Sequence, residues 1–252
     1  MTTTHHDWLA AAPYTLALGA GFFGFFAHTG VLRALEESGA ARPRRVVGVS
    51  AGALAGGLWA SGLGAEEIEA TLVNLRRPDF WDPGLPLGGL LRGDKFAARL
   101  HALLDARGVS TVEQCPTPFA TVVYELAGRR TRVLERGRLA PAIQASCTVP
   151  LMFRPIRHEG RLLVDGGVGD RDGDTALAVD ERVLQHRLIS RSPWRRFTGR
   201  PQGASDMSDR TGKKIMVIDS LPRVSPFRLE WGPRALATAR EATLRWLDAP
   251  AV

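Results

Sequence analysis

The chain has 252 residues, of which 44% are hydrophobic and 23% charged, a length and balance that suit one large α/β domain with a sizeable core. A formal net charge of +7 and a pI of about 10.3 imply attraction to anionic surfaces, although Arg-rich composition alone produces such a balance. Cys115 and Cys147 are the only cysteines and lack metal or redox spacing, which argues against a disulfide framework or zinc site and fits a reducing compartment with buried structural thiols.

Residues 1 to 12 read as a polar, frayed start with His5 and His6 exposed. The apolar stretch from Trp8 to Ala27 lacks a basic leader, is broken by Pro13 and several glycines, and so reads as neither signal peptide nor span. No later stretch reaches the roughly 20 apolar residues a spanning helix needs. The expectation is a soluble, cytoplasmic protein with peripheral contact to an anionic membrane. Tyr14 to Leu18 then reads as a strand, Gly19-Ala20-Gly21-Phe22-Phe23-Gly24 as a turn, and Phe25 to Ser38 as a helix stopped by Gly39. Arg45-Val46-Val47 opens a second strand that ends in Gly48-Val49-Ser50-Ala51-Gly52, followed by an Ala/Leu-rich helix to Gly62. This βαβα opening predicts a mainly parallel sheet with helices on its faces.

Further along, Ala65 to Leu75 is helical, and Arg77 to Gly93 is an irregular excursion placed near the mouth of a site. Phe96 to Leu104 is a helix, Phe119 to Glu125 and Thr131 to Leu134 are paired strands, and Leu139 to Ser146 is a helix. Leu162-Leu163-Val164 is a short strand ending at Asp165. Residues 187 to 214, with Trp194 among arginines, predict a mobile basic loop whose composition suits an anionic interface. Ile215 to Ile218 is a strand, and Pro233 to Leu247 an amphipathic helix. Neither internal repeats nor heptads are present, and nucleic-acid binding lacks its aromatic interleaving and motif context.

G-x-S-x-G between strand and helix is the pattern of a nucleophile elbow. Ester hydrolysis through a serine requires a base, donors aimed at the developing oxyanion, and room for the acyl chain. Asp165, followed by Gly166-Gly167 at a strand end, is the candidate base, and the Gly19 to Gly24 turn the candidate donor nest. In a parallel sheet such strand ends share one edge.

Taken in order, Gly19 to Gly24 with His28, Gly48 to Gly52, Ala145-Ser146-Cys147 to Pro150 with Phe153, and Asp165-Gly166-Gly167 resemble the patatin-like phospholipases across about residues 14 to 170. The resemblance implies a three-layer α/β/α fold with a mainly parallel central sheet, spanning residues 1 to 252 as a single domain. It implies a Ser50–Asp165 dyad, an oxyanion hole from the amides of Gly19, Ala20, Gly21 and Phe22, lipid acyl esters as substrates, and neither cofactor nor metal. Two departures stand out: the family's turn usually reads G-G-G-x-[RK]-G, and here Ala20 replaces a glycine and Phe23 the basic residue. Phe22, Phe23, Phe25 and Phe26 pack the helix or meet an acyl chain.

Other readings remain open at this point. The turn is also G-x-G-x-x-G, as in an NADP-binding Rossmann oxidoreductase; the acidic residue that such a fold wants about 20 positions on is absent, although Arg44 and Arg45 would suit a 2′-phosphate. A Ser50-Asp165-His186 triad has the right chain order, although His186 reads as a surface residue and too few strands precede Ser50. Asp170, Asp172, Asp174 and Glu181 take calcium-loop positions, but Thr175 stands where that loop needs glycine, so a solvated acidic loop is expected. A binding or scaffolding protein that keeps a hydrolase fold is the non-catalytic alternative, and oligomeric state is undetermined.

Overall fold

The computed structural model describes residues 3–86, 88–189 and 212–251. The chain opens with α1 (His5–Ala11), β1 (Tyr14–Leu18), α2 (Phe25–Glu37), β2 (Pro43–Val49), α3 (Ala51–Ala60) and α4 (Ala65–Val73). It continues through β3 (Gly89–Leu91), α5 (Asp94–Asp105), β4 (Phe119–Glu125), β5 (Arg130–Leu134), α6 (Leu139–Ser146) and β6 (Leu151–Phe153). The last elements are β7 (Ile156–His158), β8 (Arg161–Asp165), β9 (Val183–Arg187), β10 (Lys213–Val217) and α7 (Gly232–Asp248).

The main sheet has the order β10-β9-β1-β2-β4-β8-β7, with β5 also paired to β4. From β10 to β4 every pairing is parallel, while β5, β7 and β8 are antiparallel additions, so the fold is α/β with a mainly parallel central sheet. Alternation along the strands separates two apolar faces. Leu16, Leu18 and Val46 share a core with residues from all seven helices. Ala17, Val47, Val49, Ala120 and Val122 point the other way, onto Ala176 and Leu177 of the segment that follows β8. That segment, with its short 3-10 turns at Gly166–Val168 and Asp174–Ala176, forms the covering layer on the second face.

Two expectations for the outer parts of the chain need correction. Residues 5 to 11 are not frayed: Thr4 and Asp7 form a capping box, His5 stacks on Trp246 at 3.8 Å, and His6 Nε2 bonds the Ser38 carbonyl at 3.0 Å. Both ends of the expected basic loop belong to the sheet, with Arg187 closing β9 and Lys213 and Lys214 opening β10. Lys213 is buried there and pairs with Asp174 at 2.7 Å. Residues 190–211, including Trp194, lie outside the described residues.

Candidate active site

β2 delivers Ser50 to the turn before α3 with φ 54° and ψ −116°, a left-handed backbone that a side-chain-bearing residue holds only when its surroundings enforce it. Those surroundings are tight. A Cβ on Gly52 would stand 2.0 Å from the Leu18 carbonyl oxygen, and one on Gly48 would stand 2.5 Å from Ala53 Cα. Both glycines of the pentapeptide are therefore demanded by packing between β1, β2 and α3. The Ser50 amide donates to Ser146 Oγ at 2.8 Å, and that hydroxyl donates to the Val122 carbonyl at 2.7 Å. Cys147 Sγ donates to the Ser50 carbonyl at 3.0 Å. The elbow is thus tied to β4 and the end of α6.

Asp165 reaches the same level by a different route from the one expected. Its strand, β8, runs antiparallel to β4, so its end does not share the parallel strands' edge. Register brings it in instead: Val49 pairs with Val122 on one side of β4, and Asp165 pairs with Val123 on the other. Gly166 then turns over the Val122 carbonyl oxygen, 2.1 Å from where a Cβ would stand, which only glycine permits. Asp165 is 6% exposed and Ser50 8%. The carboxylate accepts the Gly167 amide at 2.7 Å, and the Ser50 hydroxyl is among the groups that face it. Burial pushes the Asp165 carboxyl up to about 6, against the opposing effects of the Ser50 hydroxyl, the Gly167 amide and the positive charge of Arg171.

The glycine turn divides in two. The Gly19 amide donates to the His186 carbonyl at 3.1 Å and the Ala20 amide to the Arg171 carbonyl at 2.7 Å. Neither is left to meet an oxyanion in this structure, so two of the four expected donors are already engaged: Gly19 extends the pairing of β1 with β9, and Ala20 is held by the loop after β8. The Gly21 and Phe22 amides donate to no group among the described residues. Phe23 takes φ 55°, and Gly24 closes the turn onto the Gly21 carbonyl at 2.9 Å. A Cβ at Gly21 or Gly24 would meet Leu188 Cδ1 at 2.4 or 2.1 Å, so Leu188, just past β9, shapes the turn from outside.

His186 is not a surface residue. It is fully buried on β9, and its Nδ1 lies 2.9 Å from His28 Nδ1. His28 Nε2 lies 2.8 Å from the Gly19 carbonyl, an acceptor only, so Nε2 carries the His28 proton. In the neutral ring Nδ1 then accepts, and His186 Nδ1 must donate. Burial lowers the His28 imidazole to about 4 and holds His186 well below its ordinary value, so the pair stays neutral. Gly19 is held at both its amide and its carbonyl by these two residues.

Ser50, Gly21, Phe22, Phe23 and Phe25 open onto a cavity enclosing about 920 Å³ of empty space, part of it open to solvent. Leu54, Leu72, Phe80, Phe96, Leu103, Met152 and Phe153 complete its apolar wall, and Arg99, Asp79 and Thr71 are its polar exceptions. The four phenylalanines divide their work, since Phe26 is 1% exposed in the core whereas Phe22 is 57% exposed beside the cavity.

The sequence model of the patatin-like phospholipases matches residues 16–172, well over half of the chain. The chain belongs to the patatin-like phospholipase family. An uncharacterised NTE family protein of Mycobacterium bovis is 36% identical over 161 residues, which are 62% of this chain and 42% of that one. The neuropathy target esterase of Drosophila grimshawi is 29% identical over 174 residues, 64% of this chain and 11% of its own. The patatin-like chain therefore spans less than half the length of these relatives. Among solved structures, VipD from Legionella pneumophila superposes with a TM-score of 0.65 at 14% identity, over 94% of this chain and 67% of its own.

Within this patatin-like frame the rival readings lose their geometry. The His186 imidazole faces His28 and not Asp165, so it does not complete a triad. The Asp170 carboxylate is taken up by the amides of Asp172, Gly173 and Thr175, and Glu181 by Thr15, Arg44 and the Ala178 amide. The acidic stretch is thus a folded, ion-paired loop with Arg187 and Lys213, not a solvated one. No helix among the described residues is long and apolar enough to cross a membrane. His186, Leu188 and Arg171 were invisible in the sequence as parts of the turn, because strand pairing and loop return, not local pattern, carry them there.

Proposed function

We propose that the protein is a serine acyl hydrolase that cleaves lipid acyl esters through Ser50 and Asp165. The observation that carries this reading is Ser50, held by a left-handed backbone, facing a buried carboxylate and opening onto an apolar cavity. The esterase and phospholipase names of its relatives and family support the substrate class.

Asp165 accepts the Ser50 proton as Oγ attacks the ester carbonyl carbon, and the carbonyl oxygen becomes the oxyanion. The Gly21 and Phe22 amides receive it, aided by the N-terminus of α3. Collapse expels the alcohol, which takes its proton from Asp165, and leaves an acyl-Ser50 ester. Water then gives a proton to Asp165 and attacks that ester; the proton returns to Ser50 Oγ and the fatty acid leaves. A carboxyl near 6 is poised for both directions of transfer around neutral pH. The cavity shelters the acyl chain, while exposed Phe22 and the net charge of +7 favour peripheral contact with an anionic bilayer.

The test is fatty-acid release from mixed phospholipid vesicles and a short-chain chromogenic ester, with fluorophosphonate labelling of the wild type, Ser50→Ala and Asp165→Asn. Turnover and labelling in the wild type, with neither in Ser50→Ala, support the hydrolase. Lipid binding without turnover in a folded wild type overturns it in favour of a binding protein.

A further inference from the structure

The turn from Gly19 to Gly24 contains no charged side chain of its own. A cation arrives from elsewhere. Arg171 lies on the loop that follows Asp165, and it holds Ala20 twice: its carbonyl accepts the Ala20 amide at 2.7 Å and its Nη2 donates to the Ala20 carbonyl at 2.9 Å. The backbone bond is available to any residue at this position, whereas the second needs a long side chain with a terminal donor. The same side chain packs toward the Asp165 turn, with Arg171 Cγ 3.9 Å from where a Cβ on Gly167 would stand and Ala20 Cβ 3.0 Å from that point. One residue therefore joins the loop that carries the candidate base to the turn that carries the candidate oxyanion donors.

Building on the hydrolase reading above, we propose that Arg171 is a positioning residue: it fixes the Gly21 and Phe22 amides against Ser50 and supplies the positive charge that faces Asp165. Two physical effects follow from its loss. The Ala20 carbonyl, on a residue that is 5% exposed, is left without its side-chain donor, and the turn relaxes. Asp165 also loses a favourable charge, so its carboxyl rises further. The groups that face Asp165 are the Ser50 hydroxyl, the Gly167 amide, Arg171 and the neutral Cys147 thiol. Arg171 also faces Asp172, which in turn meets Arg187, Asp174 and Asp170.

The experiment uses the full chain with Arg171→Met, Arg171→Lys and Arg171→Gln. The Asp165 carboxyl is titrated by carbon NMR, and kcat and KM for a chromogenic short-chain ester are followed against pH. Arg171→Met is expected to move the Asp165 midpoint and the acidic limb of kcat/KM upward by about half a unit or more. It should lower kcat by about tenfold with little change in KM, because the displaced amides act on the transition state. Arg171→Lys restores the limb because it restores the charge. Should Arg171→Met fail to fold, Arg171→Gln, which keeps a donor without the charge, must still titrate Asp165 above the wild type. A folded neutral variant with wild-type titration and kcat overturns the proposal, as does a lysine variant that titrates like methionine. A wild type without turnover overturns the hydrolase reading and, with it, the role in turnover, whatever the NMR titration gives.

Discussion

His28 and His186 meet through their Nδ1 atoms at 2.9 Å in the buried interior, and the Gly19 carbonyl decides which nitrogen carries which proton. His186 Nε2 is left with no partner among the described residues, so the chain of donors ends in a lone pair and not in an orphaned N–H. A second proton on either ring would be buried next to another imidazole.

Acid should therefore weaken the fold through this pair. With His28 lowered from 6.5 to about 4, the unfolded chain binds more protons between those values, so stability present above 6.5 is lost as pH falls. Asp165 acts in the opposite sense: raised from 3.8 to about 6, its contribution is full below 3.8 and disappears as pH rises through 6. Thermal melts from about pH 7 to about pH 4.5 should show a steeper loss in Asp165→Asn than in the wild type, and a shallower one in His28→Ala. At neutral pH His28→Ala should cost about 2 to 4 kcal/mol, because it leaves the His186 donor unpaired and opens a void.

Catalysis should need the ionised form of Asp165. The acidic limb of kcat/KM is expected near 6 and rises with pH, since protonated Asp165 cannot accept the Ser50 proton. Ser50→Ala and Asp165→Asn should each lower turnover by about a thousandfold or more while leaving the melting curve cooperative. A flat profile through this range, from rates at saturating and limiting ester, would count against Asp165 as base.

The elbow glycines should tolerate nothing larger. Gly52→Ala sets a Cβ 2.0 Å from the Leu18 carbonyl oxygen, backbone against backbone, with no flexible side chain to yield. A loss of about 2 kcal/mol or more is expected in chemical denaturation, or no soluble protein at all.

Acyl-chain length should answer to the cavity wall. Leu103 lines it from α5, so Leu103→Trp is expected to shift preference toward short esters by about tenfold, with little effect on the shortest substrate. The check is kcat/KM across a series of p-nitrophenyl esters of increasing chain length.

The sequence made the site legible where chemistry is local. Strand, turn and helix around Ser50 could be read because β-branched residues, glycines and an Ala/Leu-rich helix alternate within a short span, and Asp165 because paired glycines follow it. What could not be read depends on partners far along the chain. His186 sits beside a long basic stretch and reads as surface, yet β9 inserts beside β1 and buries it. The spent amides of Gly19 and Ala20 could not be foreseen either, since their acceptors belong to His186 and Arg171. The shared parallel edge expected to carry Asp165 toward Ser50 does not exist for its strand; register across β4 sets the two side by side instead.

The position of β9 has a practical consequence for anyone dissecting this protein. The family match stops at residue 172, but His186 and Leu188, which grip the turn beside Ser50, come after it. A truncation drawn at the family boundary would strip β1 of its β9 neighbour, bare one backbone edge, free the Gly19 amide from the His186 carbonyl and leave the His28 ring without its imidazole partner. The smallest piece able to keep its working shape is therefore longer than the piece that homology delimits.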